Sequence, residues 1–138
     1  MRLAHLSLTN FRNFARLDID IPGGPVLLIG GNAQGKTSLL EAIYFLATFV
    51  SFHARHDREL INFVEARKPL AVARIVADFK ASESSAIKRL EVRLIQETNG
   101  YNGSARLRKE ILLDRVKIKA SQAVGAFNAV LFLPHMLR

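Results

Sequence analysis

No cysteine occurs in the 138 residues, which excludes disulfides and thiolate metal sites and suits a reducing compartment. Long apolar runs are missing too. The longest stretch, from Ala42 to Val50, is interrupted by Thr48 and falls far short of the roughly 20 residues that span a bilayer. The opening Met1-Arg2-Leu3-Ala4-His5 is broken by polar side chains and holds no secretory core. There is no internal repeat and no low-complexity tract. The histidines His5, His53, His56 and His135 have no metal-ligand spacing backed by Cys or carboxylates. These absences lead us to expect a soluble, cytoplasmic protein that does not engage a membrane.

What is present is an ordinary globular composition, 49% hydrophobic and 23% charged, of a length that fits one domain or one lobe of a larger one. The charge is one-sided, with a formal net value of +8. A basic balance of this size favours a polyanionic partner, because each cation that neutralises a phosphate releases counterions. The alternative is a merely solvated basic surface.

Along the chain, residues 2–8 alternate imperfectly and Leu17-Asp18-Ile19-Asp20-Ile21 alternate strictly, the pattern of half-buried strands. After the turn cluster Pro22-Gly23-Gly24-Pro25, the run Val26-Leu27-Leu28-Ile29 reads as a strand buried on both faces. A helix is expected from Thr37 to about Val50, apolar nearly all round and therefore buried. A short helix is expected at residues 58–65. Strands follow at 71–80, 90–96, 106–113 and 115–120, then a short helix at 121–128 and a last strand at 129–133.

Between the buried strand and the long helix lies Gly30-Gly31-Asn32-Ala33-Gln34-Gly35-Lys36-Thr37, which matches Gly-x4-Gly-Lys-[Ser/Thr], the phosphate-binding P-loop. Its glycines let successive amide N–H groups turn inward as an anion nest. Lys36 is placed to reach the β- and γ-phosphates, Thr37 to offer a hydroxyl to Mg²⁺, and the helix N-terminus adds its positive end. Chance produces the pattern in about one chain in a few hundred of this length, and the strand-before, helix-after context is also met. Asn32 either orients an attacking water or simply tolerates a left-handed backbone. ATP and Mg²⁺ are the expected ligands, with Gly30, Gly31, Asn32, Ala33, Gln34, Gly35, Lys36, Thr37 and Ser38 as the binding residues.

Two further segments carry a resemblance. Leu6-Ser7-Leu8-Thr9-Asn10-Phe11-Arg12-Asn13-Phe14, and Asn32 with Gly35-Lys36-Thr37-Ser38-Leu39-Leu40-Glu41-Ala42-Ile43-Tyr44, resemble the opening and the P-loop helix of the SMC/RecF group of ATPases. Ser51-Phe52, Asp57-Arg58-Glu59-Leu60-Ile61 and Val130-Leu131-Phe132-Leu133-Pro134 resemble the RecF type within it. The resemblance implies an α/β fold, the first lobe of an ABC-type P-loop NTPase, with a mixed sheet around the P-loop helix and an antiparallel β portion. Residues 1–138 would then be the N-terminal part of an ATPase head, with strands, P-loop and helix in 1–50 and the remainder of the lobe in 51–138.

The resemblance implies more about function. Arg12 matches an arginine that sits near the nucleotide and relays its presence between lobes. The intact protein is expected to be a weak DNA-dependent ATPase of recombinational repair and replication. It would dimerise when ATP-bound, engage single-strand/duplex junctions and gaps, and assist RecA loading with RecR- and RecO-like partners. No two adjacent acidic residues follow an apolar strand, so the acidic strand of the second lobe is absent. The chain is expected to be an incomplete domain, inactive alone, with no catalytic residue beyond Lys36. Arg55, Arg58, Arg115, Lys117 and Lys119 are candidate DNA contacts, the last three projecting from one face of an alternating strand; a solvated row is the alternative. Other readings are a different SMC-like ATPase, such as an overcoming-lysogenization type, or a non-catalytic nucleotide- or DNA-binding fragment.

Overall fold

The computed structural model describes residues 1–29, 35–50, 56–99 and 103–129. Six strands form one antiparallel sheet: β1 (Arg2–Phe11), β2 (Phe14–Asp20), β3 (Leu70–Lys80), β4 (Lys88–Thr98), β5 (Ala105–Leu113) and β6 (Val116–Ile118), in the order β2-β1-β3-β4-β5-β6. The helix α1 (Lys36–Thr48) crosses one face, and a single turn of helix, α2 (Ala120–Ala123), follows β6.

Register explains the two faces. Leu6 lies between Ile19 and Ala77, Leu8 between Leu17 and Ile75, and Val92 between Ile75 and Ile111. Because side chains alternate across a strand, this register leaves Val76 and Ile95 on one face and stacks Leu6, Leu8, Ile75, Ala77, Val92 and Ile111 on the other. Leu39, Ala42, Phe45 and Leu46 of α1 cover them, with Leu60 and Ile61 closing one end and Phe127 resting edge-on against Phe79 at 5.4 Å between centroids. The opposite face is a lattice of ion pairs. Asp78 takes both Nε and Nη2 of Arg89, and buried Glu91 is shared by Arg74 and Arg93.

The alternation expected for β1 to β5 matches the structure to within a few residues, and α1 begins and ends close to its expected limits. α1 is less enclosed than its composition suggested: Leu40 is exposed while the Leu39, Ala42, Phe45 and Leu46 side is buried, because only one flank meets the sheet.

Residues 26–29 depart from expectation. Leu27 and Ile29 are 82% and 87% exposed, and the segment pairs with none of the six strands. An apolar run supplies the side chains for a buried strand, but a strand also needs neighbours for its N–H and C=O groups, and the described residues provide none here. The described sheet is therefore antiparallel throughout. The helix expected at 58–65 is replaced by two 3₁₀ turns, Asp57–Leu60 and Glu65–Arg67, and the one expected at 121–128 contracts to α2. The last expected strand lies almost wholly outside the described residues.

Candidate functional site

The site is organised around the first turn of α1. Gly35 is its N-cap, with φ 91° and ψ 8°, a left-handed conformation that glycine adopts without penalty. Its carbonyl accepts the Leu39 N–H at 2.9 Å. Lys36 opens the helix, with Thr37 exposed and Ser38 half-buried beside it. Acidic residues are missing from this first turn, so the positive end of the helix dipole stays available to an anion.

The β1–β2 turn closes over this helix start. A Cβ built on Gly35 would lie 2.6 Å from Phe14 Cζ and 3.1 Å from Asn13 Nδ2, so the turn rests directly on the glycine. Asn10 and Arg12 both have φ 51°, which turns the chain sharply enough to bring Arg12 against α1. There the Arg12 guanidinium donates to both carboxylate oxygens of Glu41, Nε to Oε1 at 2.7 Å and Nη2 to Oε2 at 2.9 Å. The Glu41 side chain is only 2% exposed. Hydrogen bonding to Glu41 holds the Arg12 pKa above its ordinary value despite partial burial, so the guanidinium carries its charge throughout.

A second segment laces onto the same turn. Arg12 N–H donates to the Leu60 carbonyl at 2.8 Å, and Asn62 N–H to that of Asn10 at 2.7 Å. The Asn62 side chain donates to the Arg12 carbonyl at 2.6 Å and accepts from the Val64 N–H at 3.0 Å. Between helix start, turn and this segment lies a cavity of about 460 Å³ lined by Arg12, Asn13, Gly35, Thr37, Ser38, Glu59, Ile61, Asn62, Phe63 and Val64. Phe63 is 71% exposed at its rim, with the Arg67 guanidinium 4.4 Å from its ring centroid.

The structure thus brings Arg12 together with Gly35, Thr37 and Ser38, residues far apart in sequence. Gly30, Gly31, Asn32, Ala33 and Gln34 lie outside the described residues, as does Arg55. Glu41, Asn62 and Phe63 escaped the sequence reading. Glu41 had a signal, a lone acid in an otherwise apolar helix. Asn62 and Phe63 had none, since their roles arise only from the chain returning to the β1–β2 turn.

The basic candidates are dispersed. Arg58 is exposed on the first 3₁₀ turn. Of the expected row Arg115, Lys117 and Lys119, only Lys117 sits in a strand, 3.8 Å from Glu110. Arg115 occupies a turn with φ 69°, and Lys119 is the N-cap of α2, its N–H donating to Gln122 Oε1 at 3.0 Å. The strand is shorter than its alternation suggested because Asp114 and Arg115 form the turn that reverses β5.

This left-handed glycine, followed by Lys-Thr-Ser at the start of a helix and facing a cavity, has the geometry with which P-loop proteins receive phosphate. Residues 1–124 match the AAA ATPase domain family, and the chain belongs to that family. Among curated proteins, the chain is similar to the DNA replication and repair protein RecF. It is 42% identical over 137 residues to RecF of Roseiflexus castenholzii, covering 97% of this chain and 34% of that protein. It is 38% identical over 138 residues to RecF of Lactobacillus acidophilus, covering 99% of this chain and 32% of that one. Among solved structures, the recombination mediator protein RecF-ATP of the RecFOR pathway superposes with a TM-score of 0.71 at 28% identity, over 97% of this chain and 33% of its own. The chain spans about one third of the length of the relatives it matches. Among the described residues, no helix is long and apolar enough to cross a membrane.

Proposed function

We propose that this chain is the nucleotide-binding part of a RecF-type ATPase of DNA replication and repair, with ATP as its ligand. The observation that carries this reading is the juxtaposition of left-handed Gly35, the N-terminal turn of α1 and Arg12 around one cavity. The triphosphate would lie on Gly35, Lys36, Thr37 and Ser38, with residues 30–34 completing the loop. The base would extend toward Asn62 and Phe63. Thr37 suits Mg²⁺: its hydroxyl is exposed at the helix start, beside the phosphate position. The ion, when bound, would supply neutralisation of phosphate charge.

In the full-length protein the nucleotide would favour a homodimer acting in the cytoplasm on single-strand/duplex junctions and gaps of DNA. RecR- and RecO-like partners would help it to promote RecA loading. Arg55, Arg58, Arg115, Lys117 and Lys119 are the proposed phosphate contacts. Residues 1–50 would provide the phosphate-binding half of the lobe and 51–138 the rest, with hydrolysis completed by groups outside this chain.

The test is a titration of ATP with Mg²⁺ into the protein and its Lys36→Ala variant. Binding is expected in the former and a loss of at least about tenfold in the latter, the effect of removing a charge-assisted contact. Equal binding by both would refute the assignment.

A further inference from the structure

We propose that Glu41 is a positioning residue for the nucleotide: it holds Arg12 by one edge so that the other edge of the guanidinium is presented to the phosphates. The proposal rests on the ATP-site reading above. It concerns a residue that makes no contact with the cavity itself, since Glu41 is absent from its lining while Arg12 belongs to it.

The geometry of the pair is asymmetric. Glu41 takes Nε and Nη2 of Arg12, which leaves the Nη1–Nη2 edge of the fork, the edge whose parallel N–H groups match two oxygens of a phosphate. An arginine side chain on a surface turn samples many rotamers, and each must be frozen out when an anion binds. Here that ordering has already occurred. The Arg12 backbone is clamped by Leu60 and Asn62, and its head group is fixed by a carboxylate on α1, the helix that begins at Gly35. Arg12 is therefore registered against the same helix that positions Lys36 and Thr37.

Stability alone is a poor explanation for such a pair. Taking a carboxylate out of water costs several kcal/mol, and apolar residues of similar volume often serve a core as well or better. Glu41 sits among Leu39, Ala42, Phe45 and Leu46 on the buried side of α1, where an apolar residue would pack without that penalty. What the carboxylate adds is direction: it selects one orientation of Arg12.

The experiment measures ATP affinity, with Mg²⁺, and the thermal midpoint for the protein and for its Glu41→Gln, Arg12→Gln and Arg12→Gln/Glu41→Gln variants. Glu41→Gln is expected to weaken ATP binding about tenfold, the loss of one pre-set charged contact. The double variant is expected to bind no more weakly than Arg12→Gln alone, because the proposed effect of Glu41 on the ligand passes through Arg12. If Arg12→Gln fails to fold around the stranded carboxylate, Arg12→Gln/Glu41→Gln is compared with Arg12→Gln/Glu41→Met. Equal ATP affinities are then expected, since with Arg12 gone the residue at 41 no longer matters to the ligand. ATP affinity within twofold of the parent for Glu41→Gln, even with a lowered midpoint, would overturn the proposal and leave a structural ion pair. So would a Glu41→Gln loss that persists undiminished without Arg12. These results differ from failure of the site itself, in which the parent binds no ATP or Lys36→Ala binds it equally well.

Discussion

Gly35 and Phe14 are in contact so close that a single methyl group cannot fit between them: a Cβ on Gly35 would lie 2.6 Å from the ring's Cζ. The backbone at Gly35, with φ 91°, is also one that L side chains adopt only with strain. Gly35→Ala is therefore expected to cost about 1–3 kcal/mol, read as a lower urea midpoint. It should also abolish ATP binding by displacing the β1–β2 turn from the start of α1. A variant as stable as the parent would show that the turn yields freely.

Glu91 is predicted to be a stability determinant of the outer sheet face. It is 4% exposed and bonded to Arg74 at 2.7 Å and also to Arg93. Burial pushes its carboxyl up, but the two arginines outweigh this and hold it below the ordinary 4.5. A carboxylate with a depressed folded pKa stabilises above its unfolded value, and that contribution disappears as pH falls through the folded one. Glu91→Gln is expected to cost about 1–2 kcal/mol at pH 7. This is less than for a fully buried pair, because both arginines reach water. The difference from the parent should shrink in denaturant melts below about pH 4.

His5 carries the opposite pH signature. Its Nδ1 is 2.6 Å from Asp20 Oδ1 and its Nε2 bonds Asp18, both carboxylates coming from β2. On the β3 side its partner, Asp78, is occupied by Arg89. The hydrogen bonds to Asp20 and then Asp18 raise its pKa above 6.5, since only the imidazolium donates from both nitrogens. The clamp between β1 and β2 is thus fully present below pH 6.5 and is lost as pH rises through the higher folded value. An NMR titration of the His5 ring should place its midpoint above 6.5. In His5→Gln the small stability loss between pH 6 and 8 should vanish.

Asn62 is expected to be worth more than an average surface asparagine. Removing its side chain in Asn62→Ala breaks the 2.6 Å bond to the Arg12 carbonyl and the 3.0 Å bond from Val64 N–H. A loss of about 1–2 kcal/mol is expected, accompanied by weaker ATP binding because the cavity wall is released. Unchanged affinity would show that Arg12 stays in place without Asn62.

Phe63, exposed at the cavity rim against Arg67, is predicted to matter for the base and not for the phosphates. Phe63→Ala should weaken ATP several-fold, as expected for loss of one stacking partner worth about 1 kcal/mol, while leaving inorganic tripolyphosphate binding unchanged. Equal losses for both ligands would place its role elsewhere.

Much of this molecule was legible in its residues. The alternation Leu17-Asp18-Ile19-Asp20 and its counterparts in β3 to β5 revealed half-buried strands, because a two-residue period reports burial on one face wherever the partner strands lie. The Gly35-Lys36-Thr37 spacing located the left-handed glycine and the helix behind it, because the backbone geometry of an anion nest demands those residue types locally. Where the alternation ended in turn chemistry, as at Asp114 and Arg115, it overestimated the strand.

Other features depended on what the chain meets after folding. Residues 26–29 have the composition of a buried strand but no strand beside them among the described residues, and pairing is a property of neighbours. The Arg12–Glu41 pair joins residues 29 positions apart, and the Asn62 bond to Arg12 joins residues 50 apart. Which segments alternate, and which glycine-rich stretch suits a phosphate, were already set by local residue pattern. That Arg12 lines the cavity beside Gly35, and that Glu41 and Asn62 hold it there, depends on tertiary structure, because directional contacts between distant segments exist only once the sheet has set their positions.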